Sequence, residues 1–418
     1  MDFSVEYDVA VVGGGVAGVA AALQSARSGM KTVLVEKTIL LGGLATSGLV
    51  YIYLPLCDGM GHHVTRGISE ELLKLSLKYG PGEIPDWRNA CSAPESGRYI
   101  CCFSPASFML SLEELLLAEN VDLWYDTLVG GAEMNGSRLT GIIVENESGR
   151  GRISARQFID ASGTGVVLRR AHIPCLTADN SLTMWDMCCR RGGGEDTFGP
   201  DIQIEPLTTF WPDEDKGNAW MLPRDFIRDF QGDKTDADAF ASLTYRGVTG
   251  RSTSEFVRES HRLLRLSIQK QYEAGRTRND HYPVKLPLMP QFRKIYCVDG
   301  EYVLRSGENG KRFQDSVGMA ADWRRPGSDL VWEIPYRTLY PRTRTGGILA
   351  AGRCTAAQGD AWEITRVIPA AAMTGQVAGL AAAMSVQKGI DAPELPVCEL
   401  QNSLISLGFP LHPEDAGI

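Results

Sequence analysis

The 418-residue chain reads as an α/β protein in which a parallel sheet carrying a small antiparallel β-meander is interrupted by an inserted α+β domain. Three observations predict this. The first 36 residues run strand, glycine turn, helix, strand. Between Val121 and Phe158 lies a series of short strand patterns joined by hairpin signals. From about residue 164 to 340 the composition shifts to Trp, Pro, Arg and Asp with weak periodicity, and a strand and a helix pattern then return.

Taken in order, Tyr7–Val12 is an apolar run that ends at Gly13-Gly14-Gly15, and Val16–Ser28 then places small and apolar residues at helical spacing until Gly29. Lys31–Glu36 is a second, β-branched strand, so this is one βαβ unit and its two strands are parallel. A glycine-rich stretch, Leu41–Gly48, is followed by a helix at Ser69–Lys78, and Ser104-Pro105 caps a further helix that ends near Glu119. Val121–Trp124, Leu128–Met134, Leu139–Glu145 and Arg152–Phe158 read as strands, with Asn135-Gly136 and Ser148-Gly149 as turns. In the insertion the clearest element is a helix over Ser254–Glu273, whose Arg258, His261, Arg262 and Arg265 make one side basic. Gly347–Ala351 is a last buried strand, and Pro369 to about Gln387 is an Ala- and Gly-rich helix. The expected domains are 1–163, 164–340 and 341–418, the last returning to the first.

Composition limits the function. A net charge of −9 argues against a nucleic-acid groove, which needs a basic footprint. No stretch approaches the roughly 20 consecutive apolar residues of a membrane span. The N-terminal residues show no basic region leading into an apolar core, so the sequence predicts a cytoplasmic protein. The ten cysteines include no CxxC and the six histidines no HExxH, so free thiols and no metal site are expected.

The strongest motif is Gly13, Gly15 and Gly18 in GxGxxG, between strand and helix, with Glu36 ending the next strand. Gly13 permits the turn, Gly15 admits a pyrophosphate, and Gly18 lets helix pack on strand, while the helix N-terminus offers free N–H groups to phosphate. Glu36 accepts from the adenosine ribose. Together these predict a Rossmann-like dinucleotide domain. FAD is favoured over NAD because no further βαβ repeat comes after the acid, whereas Leu41–Gly48 supplies small and hydroxyl residues to wrap a long cofactor. Asp160-Ala161-Ser162-Gly163-Thr164-Gly165 is a second glycine turn at a strand end.

On Gly42-Gly43-Leu44-Ala45-Thr46-Ser47-Gly48 and on Ala351-Gly352-Arg353, Arg366, Pro369, Gly375-Gln376 and Gly379, the chain resembles FAD-dependent oxidoreductases with the glutathione-reductase-type FAD fold. It is most similar to a bacterial branch with a GGxATSG loop and a C-terminal AGR signature. Phe313–Val317, Asp322–Arg324 and Ile334–Arg337 match it too, whereas Thr177–Asp238 departs from the pattern and leaves the substrate open.

The expected cofactor contacts are Gly13, Gly15, Val16, Ala17, Gly18, Glu36 and Lys37 in the first unit, then Gly43, Leu44, Ala45 and Thr46 in the wrapping loop. Ala161, Ser162 and Gly163, and Gly352, Arg353, Arg366, Pro369, Ala371 and Ala372, complete them. Pro369 suits the first helical position, and a helix start of alanines can abut a flat ring and stabilise negative charge on it. Arg353 and Arg366 bind flavin, phosphate or an anionic substrate, or pair with Asp360 or Glu363. The catalytic candidates are Arg353, His63 and Tyr336, with His62, Arg337 and Glu363 as further acids or bases and Cys354 read as a buried small residue. The expected activity is hydride transfer between FAD and a small organic substrate, with an unassigned electron partner. The alternative is a flavoprotein that passes electrons to a protein.

Overall fold

The computed structural model describes residues 3–85, 98–192, 201–208, 211–213, 217–219, 228, 229, 232 and 243–418. The chain is α/β and divides into two compact units. The first comprises residues 1–45, 52–176 and 296–418, and the second residues 46–51 and 177–295, a narrower insertion than the 164–340 expected from composition.

The first unit is built on one sheet whose strands run, in spatial order, Asp122–Trp124, Thr32–Val35, Glu6–Val12, Gly149–Asp160, Arg138–Asn146 and Leu128–Asn135. Ile348–Ala350 pairs with the far end of Gly149–Asp160. That twelve-residue strand has two functions. Its first half pairs antiparallel with Arg138–Asn146 to make the meander, and its second half lies parallel between Glu6–Val12 and Ile348–Ala350. The parallel core strands are apolar on both faces, because both are covered: Val9, Val11, Leu34, Ile159 and Leu349 on one side and Ala10, Val33, Phe158, Ile348 and Ala350 on the other are sealed from solvent.

Strand register brings the sequence-predicted turns together. Val12 pairs with Val35 and with Asp160, and Asp160 pairs with Ala350. The strands therefore end level, so Gly13, Glu36, Ala161 and Ala351 emerge side by side at the C-terminal edge of the sheet, where open α/β sheets bind ligands.

Two helices lie against one another in this unit, Val16–Arg27 and the 21-residue Ile368–Lys388. Their closeness depends on two glycines one helical turn apart. A Cβ on Gly375 would stand 2.1 Å from the Ala17 carbonyl oxygen, and one on Gly379 2.4 Å from that of Ala21. Ser104 caps Pro105–Ala118 by accepting from Ser107 N, as its sequence predicts. Cys57 is disulfide-bonded, a departure from the free thiols expected, while eight other cysteines are free.

The second unit holds a three-stranded antiparallel sheet, Ile202–Thr208, Thr183–Arg190 and His281–Lys285. The helix Gly250–Glu273 is capped by Thr249 and begins four residues before the Ser254 start its pattern suggests. Ser260 Oγ ties it to the sheet by donating to Thr183 O at 2.8 Å. Gln291 knits this unit together by donating to Gly48 O at 2.7 Å and accepting from Trp185 N at 2.8 Å. A cavity of about 220 Å³ opens beside it, lined by Met184, Phe256, Ser260, His261, Leu288 and Gln291. Much of residues 193–242 lies outside the described residues. Among the described residues no helix is long and apolar enough to cross a membrane.

Candidate functional site

The level strand ends of the first unit hold most of the residues singled out by the sequence. Gly13 has φ +102°, and a Cβ there would come within 2.5 Å of the Ser162 Cα, so the first glycine turn and the Ala161-Ser162 backbone are in direct contact. A Cβ on Gly18 would sit 1.8 Å from Gly13 O, which is why the helix can start so close to the turn. Gly15 differs, since a Cβ there meets nothing within 4 Å. Its outer face is open, and it is the N-cap of Val16–Arg27, with no side-chain cap and no acidic residue in the first turn. Such a helix start offers backbone N–H groups and partial positive charge to a ligand.

Glu36 closes one side. It is buried, and its Oε2 accepts from Gly14 N at 2.7 Å while Oε1 accepts from Thr38 N and Thr38 Oγ1, both at 2.9 Å. These bonds fix the carboxylate against the loop, fill Oε1 and leave Oε2 a further lone pair. Lys37 is exposed. The loop behind is drawn in by Gly42 N donating to Gly14 O at 2.8 Å, and a Cβ on Gly43 would lie 3.2 Å from the Gly15 Cα, so Gly43, Leu44 and Ala45 back onto the first glycine turn. Thr46 begins the short segment assigned to the second unit.

The Asp160 turn is a backbone clamp that its sequence does not reveal. Its Oδ1 accepts from Ser162 N and Oγ, and its Oδ2 accepts from Val167 N at 2.8 Å and Leu168 N at 3.1 Å. All of this holds Ala161, Ser162 and Gly163 rigid beside Gly13. The only sequence signal for it was an acid at the end of a strand before a glycine turn.

Gly352 joins the two helix starts. A Cβ there would be 2.6 Å from the Ala17 Cβ and 3.5 Å from the Ala371 Cβ, and its N–H donates to Thr374 Oγ1 at 3.0 Å. The helix Ile368–Lys388 begins at Val367 with no side-chain cap and no acid in its first turn. Pro369 occupies its second position rather than the first. Two uncapped helix N-termini, each carrying partial positive charge, thus meet beside Gly352.

Arg353 adds a full charge. Its side chain lies against Gly163, where a Cβ would come within 2.6 Å of the guanidinium carbon. Burial pushes its pKa down to about 10, with Arg366 adding to the effect. Arg366 itself is paired with Glu363, Nε to Oε2 at 2.8 Å, and Asp360 is paired with Arg324 at 3.0 Å. Of the two roles open to Arg366, cofactor contact or ion pair, the structure shows the ion pair with Glu363, while Asp360 pairs with Arg324.

The other candidates separate. Tyr336 is fully buried, its hydroxyl donates to Ala392 O at 2.9 Å, and burial pushes the phenol well up. This phenol acts as a core strut and lacks the accessible hydroxyl that a proton carrier needs. Arg337 is committed to Asp315 at 2.9 Å. Cys354 is buried with its thiol pushed up by burial, as a small core residue would be. His63 stands beside Tyr99 and 3.9 Å from Glu70, and burial pulls its pKa down. His62 Nδ1 is 2.7 Å from Asp58 Oδ2, which also accepts from Ser328 Oγ at 2.6 Å. Burial pushes the Asp58 carboxyl up, yet the bonds from Ser328 and His62 outweigh it and hold the pKa low.

The donor set fits a dinucleotide with a flat, electron-accepting ring: an open glycine cradle, a carboxylate at the end of the second strand, two helix N-termini and a half-buried guanidinium. The sequence model of the family described as FAD dependent oxidoreductase matches residues 8–404. No curated protein matches the chain. Among solved structures, it is similar to a geranylgeranyl bacteriochlorophyll reductase-like protein from Thermoplasma acidophilum, at TM-score 0.48 and 12% identity over 97% of this chain and 84% of that one. It is also similar to p-nitrophenol 4-monooxygenase from Pseudomonas putida, at TM-score 0.49 and 11% identity over 98% and 88%. A third is CabE, an aromatic hydroxylase from angucycline biosynthesis, at TM-score 0.43 and 14% identity over 96% of this chain and 65% of that one. With its family model spanning nearly the whole chain and a site suited to that cofactor, the protein belongs to the FAD dependent oxidoreductase family and is an FAD-dependent enzyme.

Proposed function

We propose that this enzyme transfers a hydride between FAD and a small organic substrate, and that the residues at the level strand ends hold the cofactor in the manner of the glutathione-reductase-type fold. The observation that carries the reading is the meeting of the two uncapped helix N-termini at Gly352 beside the half-buried Arg353. FAD supplies an N5 position that accepts or donates a hydride, with the accompanying charge developing on the pyrimidine edge of the ring. In this reading Val16 and Ala17 N–H groups bind the pyrophosphate, Glu36 accepts from the ribose, and the start of Ile368–Lys388 together with Arg353 faces the ring edge. Preorganised positive charge there favours the reduced form. Ala371 and Ala372 keep the helix start thin enough for a ring to abut it. His63, which its burial holds neutral, is the proton carrier that the reading retains.

An absorbance spectrum of the purified protein before and after acid precipitation is the direct test. Flavin bands that pass into the supernatant are expected, and they should be absent from Gly15→Val, whose side chain fills the open face. Arg353→Ala should keep flavin but slow its bleaching by substrate, with screening among amines, hydroxy acids and enoates. Full flavin occupancy in Gly15→Val sinks the binding assignment, and an unchanged bleaching rate in Arg353→Ala reduces that residue to a structural role.

A further inference from the structure

The second unit contains a buried polar cluster that the flavin site does not use. In its three-stranded sheet Asp186 is paired with Glu205, Cys188 with Gln203 and Arg190 with His281. Residues two apart on a strand, and residues directly opposite across a ladder, share a face. One face of this sheet therefore presents Asp186, Cys188, Arg190, Gln203, Glu205 and His281. Asp186, Cys188 and His281 are each at most 2% exposed. Burying so many polar groups is costly unless each has a partner. Here His281 Nδ1 and Asp186 Oδ1 are sealed from solvent with no hydrogen-bond partner among the described residues.

Three ligand atoms, one each from Cys188, Glu205 and His281, lie within 4.8 Å of one another. Glu205 uses Oε1 to accept from Arg190 at 3.1 Å and Gln203 at 3.3 Å, which orients the carboxylate and leaves Oε2 available. A tetrahedral ion with bonds of about 2.0–2.3 Å wants its ligand atoms roughly 3.5 Å apart, so a side-chain adjustment closes the set. Thiolate, imidazole and carboxylate together select a borderline-soft cation rather than calcium or magnesium.

We propose that Cys188, Glu205 and His281 bind one zinc(II) ion. Binding displaces the Cys188 thiol proton to solvent and moves no electrons. The three ligands come from three strands, so the ion fastens the sheet edge to edge, and Asp186 lies on the same face to accept from whatever fills the fourth position. Spacing in sequence hides the site, because the ligands are 17 and 76 residues apart.

The test uses the full-length flavoprotein, dialysed against chelator and then against zinc(II), with metal counted by elemental analysis. About one equivalent per chain is expected, falling below roughly a tenth in Cys188→Ser and in His281→Gln and staying whole in Cys189→Ser, whose side chain points to the other face. Flavin content, read in each variant, reports whether the chain is folded. Should Cys188→Ser lose flavin as well, cobalt(II) added to the wild-type protein decides. A thiolate-to-cobalt charge-transfer band, seen as a difference spectrum and unchanged in Cys189→Ser, upholds the site. Its absence, a wild-type protein that retains no zinc, or full zinc retention in Cys188→Ser overturns it.

Discussion

Replacing Gly375 by alanine tests whether the proposed cofactor site depends on backbone contact between its two helices. A Cβ at that position would stand 2.1 Å from Ala17 O and 3.0 Å from Ala17 Cα. Ordinary contact with that oxygen requires more than an ångström of extra separation, and both groups are backbone, so no side chain can rotate away. Overpacking of this kind costs about 1–3 kcal/mol or somewhat more. Against it, glycine to alanine inside a helix gains about 1 kcal/mol. We expect a net loss of about 1–2 kcal/mol, a melting temperature lower by about 1–2 °C for a chain of 418 residues, and weaker flavin retention, because the displaced helix starts no longer meet at Gly352. Gly379→Ala should act similarly, its Cβ falling 2.4 Å from Ala21 O. The double variant should cost less than the sum, since one shift of the helices relieves both clashes. Thermal melts with and without added FAD, together with flavin content after gel filtration, give the values. A Gly375→Ala protein that melts at or above the wild type and keeps its flavin refutes the reasoning.

Gly352→Ala places a methyl 2.6 Å from the Ala17 Cβ at a residue with φ +60°, so it should lose flavin at least tenfold faster on dilution, and unchanged release would show that the junction is loose. Asp160→Asn turns one of the clamp's acceptors into a donor facing N–H groups, so it should lower unfolding stability by about 1–3 kcal/mol in urea titration, and no change would mean that the turn holds itself. His63 has its pKa lowered by burial, with Arg66 and Lys74 adding to this and Glu70 opposing it. The unfolded chain thus binds the proton more readily than the folded one, so the stability associated with neutral His63 is complete above about pH 6.5 and is lost as pH falls through the lower folded value. His63→Gln should flatten that part of a stability-versus-pH curve, and an identical slope in the variant would contradict it.

The first unit was legible in the sequence because its rules are local. Strand runs, turn glycines and the Ser104 cap each announce themselves within a few residues, and parallel strands buried on both faces read as unbroken apolar runs. The glycine spacing at 375 and 379 was visible too, but its reason was not, because the backbone it admits belongs to Ala17 and Ala21, more than 350 residues earlier. Tyr336 shows the opposite failure. A tyrosine in a matching motif looks like a proton carrier, and nothing nearby in sequence reveals that Ala392 O takes its hydroxyl. The second unit's sheet escaped notice because its buried face is polar. In Thr183–Arg190 the alternation that marks a strand is present, but the side a reader assigns to water carries Asp186 and Cys188, both sealed.

The residues proposed to hold the flavin come from opposite ends of the chain, and the contact that brings them together also holds the unit together. The strand Ile348–Ala350 enters the sheet beside Gly149–Asp160, turns at Gly352 between Ala17 and Ala371, and continues into the helix that lies on Val16–Arg27. Nothing in that path is free to serve cofactor binding alone. A ligand that engages both helix starts therefore resists their separation, and it stabilises the folded chain by about 2.7 kcal/mol when present at a hundred times its dissociation constant. Removing flavin should accordingly loosen the late segment first. Amide exchange in Val16–Arg27 and Ile368–Lys388 should quicken together on flavin removal, while the meander strands Leu128–Asn135 and Arg138–Asn146, which pair with each other, should change little. Faster exchange in the meander than in the two helices would mean that the cofactor stabilises the sheet and not the helix contact, and Gly352 would lose its place as the junction of the site.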